Sequence, residues 1–168
     1  MTRHAKERGS SALEFALLGI PLIFILISVA NMALGMMTLH TMQEAVEQGA
    51  RYAVTHGAGC VSGSNTCSVT VGNIATVISN NAAGIAPGQL NVTLKTNSGA
   101  TTNCNPVTAC TSSGTTWPPS SDNSPGNDII VTASYTFNPM IAMFWPGGGS
   151  DSFSTTNFNA YTRQRLTF

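Results

Sequence analysis

The sequence predicts an α+β protein in which one long N-terminal helix spans a membrane and continues into a small exported domain. Residues 15–43 contain no Asp, Glu, Lys or Arg and are mostly apolar, which indicates a membrane-spanning helix. Two later segments, "QLNVTLKT" and "NDIIVTASYTF", alternate apolar with polar residues and predict strands of an antiparallel sheet. All four cysteines follow the apolar run, as expected of a domain in an oxidising compartment.

Charge is sparse and balanced along the 168 residues, with seven basic and seven acidic side chains. Only 8% of the residues are charged, whereas soluble globular proteins average about 25%. A chain without a basic excess is a poor match for the phosphate backbone of nucleic acids, so we expect no nucleic-acid partner. The Ser-, Thr-, Asn- and Gly-rich second half is typical of a surface outside the cytoplasm.

The apolar segment is long enough to cross a bilayer, since about 20 helical residues at about 1.5 Å each span a hydrocarbon core of about 30 Å. Basic residues Arg3, Lys6 and Arg8 precede it, and the first charges beyond it are acidic. This bias places the N-terminus in the cytoplasm and the C-terminal domain in the periplasm or outside the cell. The run exceeds the roughly 7–15 apolar residues of a cleaved secretory signal, which predicts a single-pass protein of the inner (cytoplasmic) membrane in contact with its lipid.

Three regions follow from these patterns. Residues 1–9 are predicted to be a short charged leader without a fold of its own, residues 10–56 a long helix, and residues 57–168 the exported α+β domain. Pro21 removes a backbone donor inside the helix and predicts a kink or local loosening. Beyond the membrane the helix becomes amphipathic, and the residues expected to share its buried face are Met42, Ala45, Val46, Ala50, Ala53 and Val54.

The exported domain begins with a Gly- and Ser-rich turn and a short second helix, predicted over Val71–Ile85 from apolar residues at three- and four-residue spacing. Strands are expected at residues 89–96, 127–137 and 153–168. The intervening polar stretch, residues 97–127, predicts a loop without regular structure. Its Asp122, together with Asp128 and Asp151, is expected to serve turn formation and solubility.

Glu14 lies just inside the apolar run, where a carboxylate is unfavourable. One interpretation is that it marks the cytoplasmic interface. The other depends on its neighbours, since Gly9 precedes a segment in which the fifth residue is this acid. Cleavage after Gly9 would leave a new amine on Ser10, beside a long apolar helix.

These residues resemble a known family. The stretch "RGSSALEFALLGIPLIFILI" resembles the N-terminus of prepilins and pseudopilins, and "EFALLGIPL" followed by "AVEQGARYAV" is similar to TadE-like minor pseudopilins of the tight-adherence (Tad) pilus system. The resemblance implies a pilin-like domain and cleavage between Gly9 and Ser10 by a prepilin peptidase. It further implies that Glu14 is the fifth-position glutamate and Phe15 its aromatic neighbour, both used in assembly.

The predicted function is therefore that of a minor pseudopilin in a Tad, or type IVc-like, pilus. Its partners, by the same resemblance, are the prepilin peptidase, other pilins and pseudopilins, and the inner-membrane assembly platform. Glu14 is expected to pair with the Ser10 amine of a neighbouring subunit, in the membrane or in the pilus. The alternative is an unprocessed single-pass membrane protein whose exported domain binds a ligand or adhesion target.

The spacing of the four cysteines predicts disulfide bonds within short loops. Cys60 and Cys67 enclose one short turn and Cys104 and Cys110 another, so two local disulfides are the simplest of three possible pairings. Zinc would favour tighter knuckles, although His56 near Cys60 keeps a metal site open as an alternative. No nucleophile elbow, HExxH pair or phosphate loop is present, so we expect neither an enzyme nor a bound cofactor.

Overall fold

A computed structural model describes residues 4–56, 69–140 and 155–166, with side chains from Ala12 onward. Its first element, α1, is a continuous helix over His4–Thr55 that passes through Pro21. The helix begins six residues before the predicted start, and the expected lack of structure in the leader is wrong from His4 onward. Ala5, Lys6, Glu7 and Arg8 have good helix propensity, so nothing in them stops the helix from extending upstream.

The two halves of α1 differ in what covers them. From Ala12 to Ala30 the side chains are exposed, apart from partial cover at Gly19 and Ile27. From Met42 onward one face is buried, and it contains five of the six residues predicted from the amphipathic pattern, with Val54 partly buried. The prediction that a domain packs on the end of a membrane-length helix is therefore confirmed.

The second helix, α2, covers Val71–Asn81 and packs against α1. Thr70 caps its start, because the Thr70 hydroxyl accepts a hydrogen bond from the Asn73 N–H at 3.2 Å. The helix ends four residues before the predicted Ile85, and the chain turns through Gly84, whose φ is 81°. Ile85 is buried all the same, from the turn that follows the helix.

Four antiparallel strands form one sheet in the order β2-β1-β3-β4. They are β1 (Leu90–Thr96), β2 (Thr101–Cys104), β3 (Asp128–Phe137) and β4 (Thr156–Arg165). The alternating apolar side chains of the two central strands turn toward the helices and form the core, as the period of two predicts. The residues of this sheet face are Leu90, Val92, Leu94, Ile129, Val131 and Ala133.

The polar stretch between β1 and β3 is more ordered than predicted. It contains β2 and a short 3₁₀ turn, Val107–Cys110. A second 3₁₀ turn, Pro87–Gln89, precedes β1. Cys104 and Cys110 form the predicted disulfide, with their Cα atoms 5.5 Å apart. Cys60 and Cys67 lie outside the described residues, so their pairing stays a prediction.

Candidate functional site

Glu14 lies on an exposed part of α1, within the apolar segment. The helix backbone includes Gly9 and Ser10, and residues four apart in a helix lie on the same face. Position 10 is therefore about 6 Å below Glu14 along one side of the helix. Within the described part of the chain, the two ion pairs are Arg51 with Glu47 and Arg163 with Asp128, and neither involves Glu14.

Large apolar side chains surround this carboxylate. Phe15 is 79% exposed and Leu13 is 65% exposed, and similar exposure continues along the helix to Val29. A soluble surface rarely presents such a continuous apolar stretch, because its contact with water is unfavourable. The helix is long and apolar enough to cross a membrane, and Glu14 lies near the start of this apolar segment.

The chemistry available to this site is electrostatic pairing. A carboxylate inside a bilayer costs about 2.5–3.5 kcal/mol on insertion scales, and a free ammonium is similarly unfavourable. A pair between the two on adjacent helices offsets both costs and fixes the axial position of one helix relative to the next. The residues have the right charges for such a pair, provided that the chain begins at Ser10.

The outer end of the apolar segment has a feature that the sequence analysis missed. Asn31 is only 8% exposed, and its Oδ1 accepts a hydrogen bond from the backbone N–H of Met140 at 3.0 Å. One turn further, a Cβ at Gly35 would lie 3.5 Å from the Phe158 ring and 3.8 Å from the Phe137 ring. A lone amide inside an apolar run was the signal that could have indicated this contact.

A second missed feature is the burial of Asp122, which was expected to serve turn formation and solubility. Asp122 does lie in a turn, but it is only 5% exposed. Its carboxylate accepts hydrogen bonds from the hydroxyls of Ser98 and Thr96, next to the end of β1. These two bonds, Ser98 first, lower the pKa of Asp122 below its ordinary value, although burial opposes them. Asp122 therefore fastens the long loop to the sheet.

The remaining polar groups near α1 are structural. Arg51 pairs with Glu47 across one helical turn, and the Tyr52 ring stacks on His56 at 4.3 Å. Among the described residues no three His, Cys, Asp or Glu side chains converge as metal ligands would. The zinc alternative with His56 and Cys60 reaches outside those residues.

Residues 9–51 match the family model described as TadE-like protein. The matched segment lies within α1 and contains Gly9, Ser10, Glu14 and Phe15, which confirms the resemblance predicted from the sequence. No curated protein and no solved structure matches the chain.

Proposed function

We propose that this chain is a TadE-like minor pseudopilin, processed between Gly9 and Ser10 by a prepilin peptidase and assembled through α1 into a Tad pilus complex. The TadE-like match over residues 9–51 associates the chain with the Tad pilus system. Proteins of this family have a structural rather than a catalytic role. The apolar helix fits a single-pass membrane protein. The observation that carries the proposal is an exposed Glu14 within the matched segment, without a partner among the described side chains.

Assembly then proceeds from the membrane. The basic leader holds the N-terminus in the cytoplasm, where the peptidase removes residues 1–9 and leaves an ammonium on Ser10. Glu14 of one subunit pairs with the Ser10 ammonium of another pilin or pseudopilin, while the apolar helices pack together. The domain that begins after α1 remains outside, and the inner-membrane platform moves the subunits.

Removing the charge of Glu14 tests this proposal. Glu14→Gln keeps the size of the side chain and its fit in lipid but leaves the partner ammonium unpaired. An interaction of about 1.4 kcal/mol changes an association constant tenfold, so we expect surface pili to fall by about tenfold or more. Cells that lack the wild-type chain are complemented with each variant, and sheared pili are quantified against the amount of the chain in membranes.

Two control variants separate pairing from general damage. Glu14→Asp keeps the charge and should restore part of the yield. Glu44→Gln removes an exposed carboxylate beyond the apolar segment and should leave the yield unchanged. Wild-type pili from Glu14→Gln cells would disprove the role of the carboxylate in assembly.

A further inference from the structure

The end of the sheet where β3 stops and β4 begins lies beside the outer part of the apolar helix. Phe137 closes β3 and is opposite Thr156 of β4, and the Phe137 and Phe158 rings stack with centroids 5.4 Å apart. Both rings are close to the position that a Gly35 Cβ would occupy. This part of the domain is therefore level with residues 31–35 of α1.

The same residues coincide with the expected outer boundary of the bilayer. If Glu14 marks the cytoplasmic side, about 20 residues at about 1.5 Å each fill a hydrocarbon core of about 30 Å, and the span ends near Leu34. Asn31 and Gly35 lie on either side of that level. The base of the sheet therefore meets the membrane surface rather than standing clear of it in water.

Several apolar side chains at this level are exposed or partly exposed, beside the exposed polar side chains of Asn138 and Asn157. Met140 is 50% exposed, and the Phe137 and Phe158 rings are each partly exposed. On the neighbouring helix, Met32 is 71% exposed and Met36 is 58% exposed. Burying aromatic and other apolar side chains of this kind where the headgroups meet the acyl chains lowers the free energy of the chain.

Backbone hydrogen bonding at Met140 also suits this location. A backbone N–H near the hydrocarbon region has little water to bind, so leaving it without an acceptor is unfavourable. The Asn31 side chain supplies that acceptor from inside the apolar helix. It thereby holds the start of the β3–β4 connection close to the membrane-spanning segment.

We propose that Phe137, Met140 and Phe158 form a membrane foot, a second lipid contact that seats the exported domain on the headgroup and acyl boundary of the outer leaflet. The membrane foot fixes the orientation of the domain relative to the bilayer before the subunit enters a pilus. The proposal rests on the membrane placement in the proposed function but goes beyond it, because α1 alone would anchor the chain with its domain clear of the lipid.

The methionines provide a direct test in the whole chain. The chain with ¹³C-labelled methionine methyl groups is placed, at one copy per disc, in nanodiscs of phosphatidylethanolamine and phosphatidylglycerol, and the signals are assigned with Met→Leu variants. A lipid that carries a nitroxide near its headgroup end is then added. Met32 reports on the span, and Met42, which is fully buried in the domain, is the matched control.

We expect the nitroxide to enhance relaxation of the Met140 methyl group at least about threefold more than that of Met42, as for a side chain at the interface. If Met32 responds but Met140 behaves like Met42, the span is inserted and the membrane foot is wrong. If Met140 changes only when a second chain or another pilin joins the disc, the surface is a protein interface and the proposal is again overturned. If Met32 also fails to respond, the membrane placement itself is wrong.

Discussion

Two carboxylates of this chain have opposite surroundings. Glu14 is exposed among apolar side chains, whereas Asp122 is buried and accepts hydrogen bonds from two hydroxyls of the same domain. A buried carboxylate with such donors is satisfied within its own chain. The contrast assigns Asp122 to folding and leaves the Glu14 carboxylate available for the pairing between chains that we propose.

The pKa of Asp122 predicts a pH dependence. Because hydrogen bonds from Ser98 and Thr96 lower the pKa in the folded state below the ordinary value of 3.8, the unfolded chain binds more protons as the pH falls past that value. The stabilisation is complete above the unfolded pKa and is lost as the pH decreases through the folded pKa. We expect the free energy of unfolding to decrease below about pH 5, and the decrease to be shallower in Asp122→Asn.

Chemical unfolding of the detergent-solubilised chain, followed by circular dichroism at several pH values, measures this effect. Ser98→Ala removes one of the two donors and should flatten the same part of the curve. Because both changes act on one network, their effects should not add in the double variant. Identical curves for wild type and Asp122→Asn would show that this carboxylate does not contribute.

The sequence predicts Glu14 and its apolar neighbours, but not the contacts of Asp122 and Asn31. A charge in an apolar run is visible in the one-dimensional pattern, as are Gly9 and Ser10 before it. The burial of Asp122 and the bond from Met140 to Asn31 join residues far apart in the chain, and no periodicity encodes them. Their prediction would require the packing of the loops, which depends on tertiary contacts.

Among the elements, the helix and the two central strands follow directly from their apolar periods. The sequence places α2 at the correct start but predicts its end too late, because Ile85 fits a helical spacing although it is buried from a turn. The strand β2 was missed since "TTNC" has no apolar alternation, and of its residues only Cys104 is buried. Its backbone pairing with β1 and its disulfide hold it in place.

The contact between α1 and α2 leads to a prediction at this scale. A Cβ at Gly49 would lie 2.8 Å from Ile78 Cδ1 and nearer still to its Cγ1, and Ile78 is fully buried. Overpacking of this kind typically costs about 1–3 kcal/mol, and the better helix propensity of Ala offsets about 1 kcal/mol. We therefore expect Gly49→Ala to destabilise the chain by up to about 2 kcal/mol in denaturant unfolding.

The mechanism is checked by a double-mutant cycle with Ile78→Ala, which removes the atoms that the new methyl group would meet. The pair should cost less than the sum of the single changes by at least about 0.5 kcal/mol. Gln48→Ala, on the exposed neighbouring position, should stay within about 0.5 kcal/mol of wild type. Additive costs for Gly49 and Ile78 would rule out the steric explanation.

For the whole molecule, a single helix joins two environments. Its first half exposes apolar side chains on every side, as a helix in lipid requires, and its second half buries one face against α2 and the sheet. The change occurs near Asn31 and Gly35, where the sheet first meets the helix. Because α1 is continuous through this point, a displacement of its apolar half would carry the domain with it, as the proposed entry into a filament requires.

The mass of the mature chain decides whether α1 belongs to a processed pilin-like subunit. The chain is purified from membranes of cells with and without the prepilin peptidase, and intact-mass and N-terminal peptide measurements are compared, with Gly9→Leu as an uncleavable control. We predict that the mature chain begins at Ser10 only when the peptidase is present and Gly9 is intact. A mature chain that retains residues 1–9 in peptidase-containing cells would rule out processing and favour the unprocessed membrane protein.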